Sequence, residues 1–161
     1  STVLAYTNDQ TTLDIHHSKG IMARRGRACA QNIVPASTGA ASAIGKVIPS
    51  LLGKMDGMAF RVPVSCGSVV DLTLELEKDV SKEELNDLLR NNQSEALKVC
   101  EDPIVSSDVL GKKCGALVDL LSTNVLETEA GNLVKVVAWY DKEMGYMAQM
   151  LRTAKALIKE K

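Results

Sequence analysis

Ser68-Val-Val-Asp-Leu-Thr-Leu-Glu-Leu-Glu-Lys78 alternates strictly from Val70 to Glu77. Val70, Leu72, Leu74 and Leu76 fall on one side, and Asp71, Thr73, Glu75 and Glu77 on the other. A period of two is that of a β-strand. One apolar and one polar side indicate a sheet with one face turned away from the core. Working outward, Met58 to Pro63 reads as a strand before it, and residues 2 to 7 as a short strand at the start. Segments 104–107, 116–126 and 133–140 read as strands after it, with Glu129-Ala-Gly-Asn132 supplying a turn between the last two.

Helices are expected in three places. Ser37 and Thr38 are capping residues, and Ile44, Val47, Ile48 and Leu51 repeat at helical spacing behind them. Ser81-Lys-Glu-Glu84 is a capping box that opens a helix running to about Asn91. Met144 to Lys159 closes the chain as a helix whose apolar stripe, Met147, Met150, Leu151, Ala154, Leu157 and Ile158, is expected in the core. Strands and helices in this order give an α+β fold, a mostly antiparallel sheet with helices on one face. At 161 residues the chain has room for one domain, so residues 1–161 are expected to form a single domain.

The apolar fraction is 45% and the charged fraction 24%, as in globular proteins. A net charge of -1 gives no field that would gather nucleic acid or an anionic membrane. Aromatics at 3% are too few for a stacking platform for single strands. No apolar run reaches spanning length, and no charged-then-apolar signal opens the sequence, so the cytoplasm is the expected location. Cys29, Cys66, Cys100 and Cys114 are scattered, without the spacing of a zinc site or disulfide framework; reduced thiols are expected. His16 and His17 beside Asp14 read as solvated residues of a polar loop, and no metal is expected. The chain opens directly on a strand-like run, as a fragment would, or a chain whose initiator Met has been removed.

Between Asn8 and about Asn32 neither period is sustained. This stretch is polar and basic, with Asp14, His16, His17, Lys19, Arg24, Arg25 and Arg27. A loop of this length in a compact domain is usually functional or disordered. Arg61 stands in the apolar strand Ala59-Phe-Arg-Val62, where an unpaired guanidinium is costly; it has either a carboxylate partner or a cavity that receives an anion. The helix start Pro35-Ala-Ser-Thr-Gly-Ala-Ala41 combines hydroxyls, a glycine and free N–H groups, which suits an anion. The residues alone thus point to phosphate binding and no further.

Asn32-Ile-Val-Pro-Ala-Ser-Thr-Gly-Ala-Ala41 through Gly45-Lys-Val-Ile-Pro49 resembles the phosphate-binding helix start of glyceraldehyde-3-phosphate dehydrogenases. Gly57-Met-Ala-Phe-Arg-Val-Pro63 with Ser68-Val-Val-Asp-Leu72, Trp139-Tyr-Asp-Lys-Glu-Met-Gly-Tyr146 and Ala5-Tyr-Thr-Asn-Asp-Gln10 are similar to other hallmark segments, in family order. The resemblance covers the catalytic domain only, and is weakest from Gln93 to Gly115. It implies that Thr7 and Arg61 hold a substrate phosphate, that Arg24 serves both anion sites, and that Thr38 and Gly39 receive the attacking inorganic phosphate. It implies glycolytic oxidation of a triose phosphate, with NAD held by a separate nucleotide-binding domain. In the family a cysteine thiolate attacks the aldehyde, hydride passes to nicotinamide, and phosphate releases the acyl group. The family is a homo-tetramer, so self-association is expected.

The departures are as telling. The family's nucleophilic cysteine falls before Ser1. Leu4 occupies the position of the catalytic histidine and can neither stabilise a thiolate nor move a proton. Lys142 replaces the asparagine that orients the nicotinamide, and Cys66 lies near a missing asparagine. Two expectations follow: a domain or fragment of the dehydrogenase, inactive and without NAD when alone, or a non-catalytic paralogue that binds phosphate or a partner protein. The choice between triose and tetrose phosphate is open in these residues.

Overall fold

In a computed structural model the described residues are 1–18, 20, 23–129 and 131–159. Lys19 and Ala130, both named above, lie outside them. The chain forms two compact units, Ser1–Ser65 and Cys66–Lys161.

The first unit is built on three short strands, β1 (Thr2–Ala5), β2 (Val34–Ala36) and β3 (Ala59–Val62), in the order β2-β3-β1. β1 runs parallel to β3, with Leu4 opposite Arg61; β2 is antiparallel to β3, with Val34 opposite Arg61 and Ala36 opposite Ala59. Its buried apolar residues are small: Ala5, Ala28, Cys29, Val34 and Ala59. Helix α1 (Ala40–Val47) follows β2 and ends in a 3-10 turn at Pro49–Leu51, shorter than its apolar spacing suggested. β2 was hidden in the sequence because Pro35 sits inside its three residues.

Among the described residues after β1, local bonds hold the loop. Gln10 N–H donates to the Thr7 carbonyl at 2.8 Å, Ile15 N–H to Gly26 at 2.9 Å, and Cys29 N–H to Thr11 at 2.9 Å. Asp14 accepts from the Ala28 N–H at 2.7 Å and from Arg27 Nε at 2.9 Å. The Ala28 bond, ahead of the Arg27 contact, holds the Asp14 carboxyl below its usual range against the opposing effect of desolvation. A 3-10 turn at Arg24–Gly26 is pressed against this loop: a Cβ on Gly26 would stand 2.7 Å from the Ile15 carbonyl oxygen.

The second unit holds four strands in the order β4-β7-β6-β5: β4 (Ser68–Glu75), β5 (Leu97–Cys100), β6 (Ala116–Thr128) and β7 (Gly131–Tyr140). The long pairings, β4 with β7 and β7 with β6, are antiparallel, while the short pairing of β5 with β6 is parallel. The fold is therefore α+β with a mostly antiparallel sheet, as the alternation in β4 indicated. Val70, Leu72 and Leu74 pack against a core of Leu85, Val118, Leu120, Val134, Val136 and Ala138. On the polar side Asp71 pairs with Lys135 of β7 at 3.0 Å. Helix α2 (Lys82–Asn91) has the capping box read from sequence: Ser81 Oγ accepts from the Glu84 N–H and Glu84 accepts from the Ser81 N–H. It supplies Leu85 to the core.

Two expectations are corrected here. Residues 104–107 form no strand; Asp108 Oδ2 captures the Val105 N–H at 2.7 Å, and the chain turns through a 3-10 segment at Ser106–Val109. The strand lies earlier, at β5. Helix α3 (Met144–Lys159) has the expected bounds, but its stripe is not core: Met147, Met150, Leu151, Leu157 and Ile158 are exposed. It touches its own unit through Gly145, whose Cβ position lies 2.9 Å from the Cys114 carbonyl oxygen, and through Arg152, which donates to Lys113 O and Glu95.

A bulge shifts the β6–β7 register between Asp119 and Asn124. The buried Asp119 accepts there from the N–H groups of Leu121 and Ser122, from Ser122 Oγ and from Trp139 Nε1.

Candidate functional site

The phosphate residues expected from sequence all lie in the first unit. β1 ends at Ala5, and the chain then turns over Thr7 to Gln10. Thr7 presents its hydroxyl directly after the strand, and Asp9 stands at the tip of the turn.

It is Arg25, not Arg24, whose side chain comes to this turn. Arg25 Nε donates to Asp9 Oδ2 at 2.7 Å, and Nη2 donates to Asp9 and, at 3.2 Å, to Thr7 Oγ1. The Thr7 hydroxyl in turn donates to Asp9. The bond from Arg25, with the one from Thr7 behind it, lowers the Asp9 carboxyl to about 2 despite partial desolvation. Arg24, the residue first expected to serve the anions, is exposed on the first residue of the same 3-10 turn. Consecutive residues of a 3-10 turn point about 120° apart, so only one of two adjacent arginines faces the turn.

Arg61 lies on β3 beside Leu4, its register partner, so the two side chains share one face of the three-stranded sheet. Arg61 Nη1 donates to the Ala5 carbonyl at 2.8 Å. A backbone oxygen is an acceptor that neither sequence alternative named. It ties the guanidinium to the last residue of β1, just before Thr7.

Thr38 and Gly39 lie elsewhere. They follow Ala36, which pairs with Ala59, and Ala59 pairs with Thr2 at the start of β1. Thr7 follows the opposite end of β1. The strand ends from which the two groups depart are thus roughly 10 Å apart along the strands, three steps of about 3.3 Å. Gly39 is the N-cap of α1, and Thr38 Oγ1 accepts from the Ala40 N–H at 3.2 Å, so one of the helix's free donors is already engaged. Gly39 has open space where a Cβ would be.

In the second unit, Lys142 is half-buried between β7 and α3. Its neighbour Asp141 is buried and accepts from the N–H groups of Gly111, Glu143 and Met144. Burial opposes its charge, and these backbone bonds outweigh burial to leave the carboxyl below its usual range. Cys66 donates its thiol to Asp141 Oδ1 at 3.6 Å. Burial first, and the Asp141 charge with it, push the Cys66 thiol up, which disfavours the thiolate a nucleophile needs. All four cysteines are free. Among the described residues no group of three or more His, Cys, Asp or Glu is placed to hold a metal, and no helix is long and apolar enough to cross a membrane.

Arg25 and Asp9 are the residues that sequence reasoning missed. Their signal was present in the turn Thr7-Asn-Asp-Gln10 and the pair Arg24-Arg25, but Asp9 and Arg25 stand sixteen positions apart with no periodicity to link them.

Residues 1–142 match the family described as "Glyceraldehyde 3-phosphate dehydrogenase, C-terminal domain". Over 153 residues the chain is 52% identical to glyceraldehyde-3-phosphate dehydrogenase of Streptococcus pyogenes, and equally to that of Streptococcus pyogenes serotype M1. These alignments take in 95% of this chain but 45% of each relative, so the chain spans about half their length. The chain therefore belongs to the glyceraldehyde-3-phosphate dehydrogenase family, of which it is the C-terminal domain.

Proposed function

We propose that this chain is the phosphate-binding, catalytic-type half of an NAD-dependent dehydrogenase that oxidises a triose phosphate in the cytoplasm and takes up inorganic phosphate. It is inactive and binds no NAD by itself. The observation that carries this reading is the convergence of Thr7 and Arg25 at the end of β1, with Arg61 tied to the same strand end. A hydroxyl and a guanidinium fork are the donors that a phosphate ester needs. Thr38 and Gly39, a strand's length away, offer a second anion position at the start of α1. Two separated positions suit a reaction with one phosphate on the substrate and another as co-substrate. A single family match running through both compact units supports their acting as one domain.

A second reading has its own support. Leu4, half-buried beside Arg61, offers neither a base nor a charge on that sheet face, and Lys142 brings donors but no acceptor. A non-catalytic paralogue that keeps the anion positions as a binding domain would have this pattern.

One experiment separates the two. The chain is fused behind the portion of the Streptococcus pyogenes relative that it does not span, and NADH formation from glyceraldehyde-3-phosphate and phosphate is followed with Leu4 and with Leu4→His. General acid–base chemistry contributes about 100-fold or more. The dehydrogenase reading expects a gain of that order on Leu4→His. Full activity with Leu4 in place would overturn the role assigned to this position. Two folded but inactive fusions would leave the binding paralogue.

A further inference from the structure

We infer that Asp9 is a resident counter-anion: its carboxylate occupies the fork made by the Arg25 guanidinium and the Thr7 hydroxyl, so that only an anion able to displace a carboxylate gains the site. The inference rests on the reading of Thr7 and Arg25 as anion donors and adds to it what selects the anion.

Both groups that an incoming phosphate would use already hold one carboxylate. Arg25 donates Nε and Nη2 to Asp9, and Thr7 donates its only hydroxyl proton to it. A ligand must therefore either displace Asp9 or bind beside a negative charge. The geometry favours displacement. The Asp9 side chain is 54% exposed against 29% for Arg25, so the carboxylate sits on the solvent side of the guanidinium. Asp9 is at the tip of a turn, held by Arg25, Thr7 and its own amide. Asp14 in the same loop is different: it is fixed by the Ala28 backbone N–H and has no such freedom. The backbone that carries Arg25 is fixed, because Gly26 is held against Ile15 through a backbone bond and a contact that admits no Cβ.

The consequence is a threshold on charge. Exchanging a carboxylate for another monoanion gains nothing, since one charge replaces one charge at the same donors. A phosphate dianion brings twice the charge and a third acceptor oxygen, and it exceeds the threshold. Selection of phosphate esters over carboxylates would then come from a competitor within the chain and not from the donors alone.

Calorimetric titration of the 161-residue chain and of Asp9→Asn with inorganic phosphate and with acetate tests this. Expected are phosphate binding by both, about fivefold tighter in Asp9→Asn as befits loss of a partly exposed ion pair, and acetate binding by the variant alone. In the unmodified chain, the Asp9 Cγ resonance should move as phosphate saturates, which needs no variant to fold. Unchanged or weaker phosphate binding by a folded Asp9→Asn, or an Asp9 resonance that stays fixed at saturation, would overturn the inference and leave the anion site standing. No phosphate binding by either protein would remove the anion site, and the counter-anion with it.

Discussion

Asp9 links charge to the stability of the first loop. Its carboxyl is lowered from an ordinary 3.8 to about 2 in the folded chain. A depressed carboxyl stabilises the fold above its unfolded value, and that contribution disappears as pH falls through the folded value. The contribution is small, because the pair is partly exposed and screened. Urea unfolding should find Asp9→Asn less stable than the parent at neutral pH, with the gap closing as pH drops from about 3.8 to about 2. A gap that persists undiminished at the acid end would mean that Asp9 acts through packing and not through charge. At this scale the sequence was legible in kind and ambiguous in place. A hydroxyl, a basic cluster and an apolar-strand arginine were all visible. Which arginine reaches Thr7 depends on the rotation of one 3-10 turn, and no periodicity encodes that. The Arg61 acceptor was equally hidden, because a carbonyl acceptor such as that of Ala5 is common to every residue.

Among the elements, those with strong local rules were readable. The alternation of β4 and the capping box of α2 each satisfy their requirements within a few residues, and both are where the sequence put them. The 104–107 segment failed because side-chain capture of a backbone N–H by Asp108 competes with strand pairing, and four apolar or hydroxylated residues do not reveal that contest. β4 also depends on a residue outside its pattern. Gly67, just before it, has φ +80°, and a Cβ there would lie 2.1 Å from the Ser106 carbonyl oxygen. Gly67→Ala should cost about 2 kcal/mol or more, since left-handed backbone alone costs an L-residue roughly 1–2 kcal/mol before any clash. Gly57→Ala, in open space without positive φ, is the matched control. Equal denaturation midpoints for the two variants would refute the close approach of the Ser106 turn to β4.

For the molecule as a whole, the exposed stripe of α3 is the largest departure from expectation. A periodic apolar face identifies a helix but not what covers it, which is why the bounds of α3 were legible and its burial was not. Met147, Met150, Leu151, Leu157 and Ile158, with Tyr146 beside them, leave an apolar surface of a kind that isolated chains seldom keep in water. The chain should therefore self-associate with rising concentration, and sedimentation velocity should show its mean size increasing. A single monomeric boundary across the range would remove this expectation. The β6–β7 hairpin carries a different kind of consequence. Three of the donors to Asp119, the Leu121 and Ser122 N–H groups and Ser122 Oγ, belong to the bulge itself, and one, Trp139 Nε1, comes across from β7. A hairpin zipped one residue out of step would forfeit the Trp139 bond, a hydrogen bond to a charged group worth roughly 1.5–3 kcal/mol. That penalty falls on the wrong alignment alone, so the tryptophan–carboxylate contact works as a key that fits one pairing of the two strands.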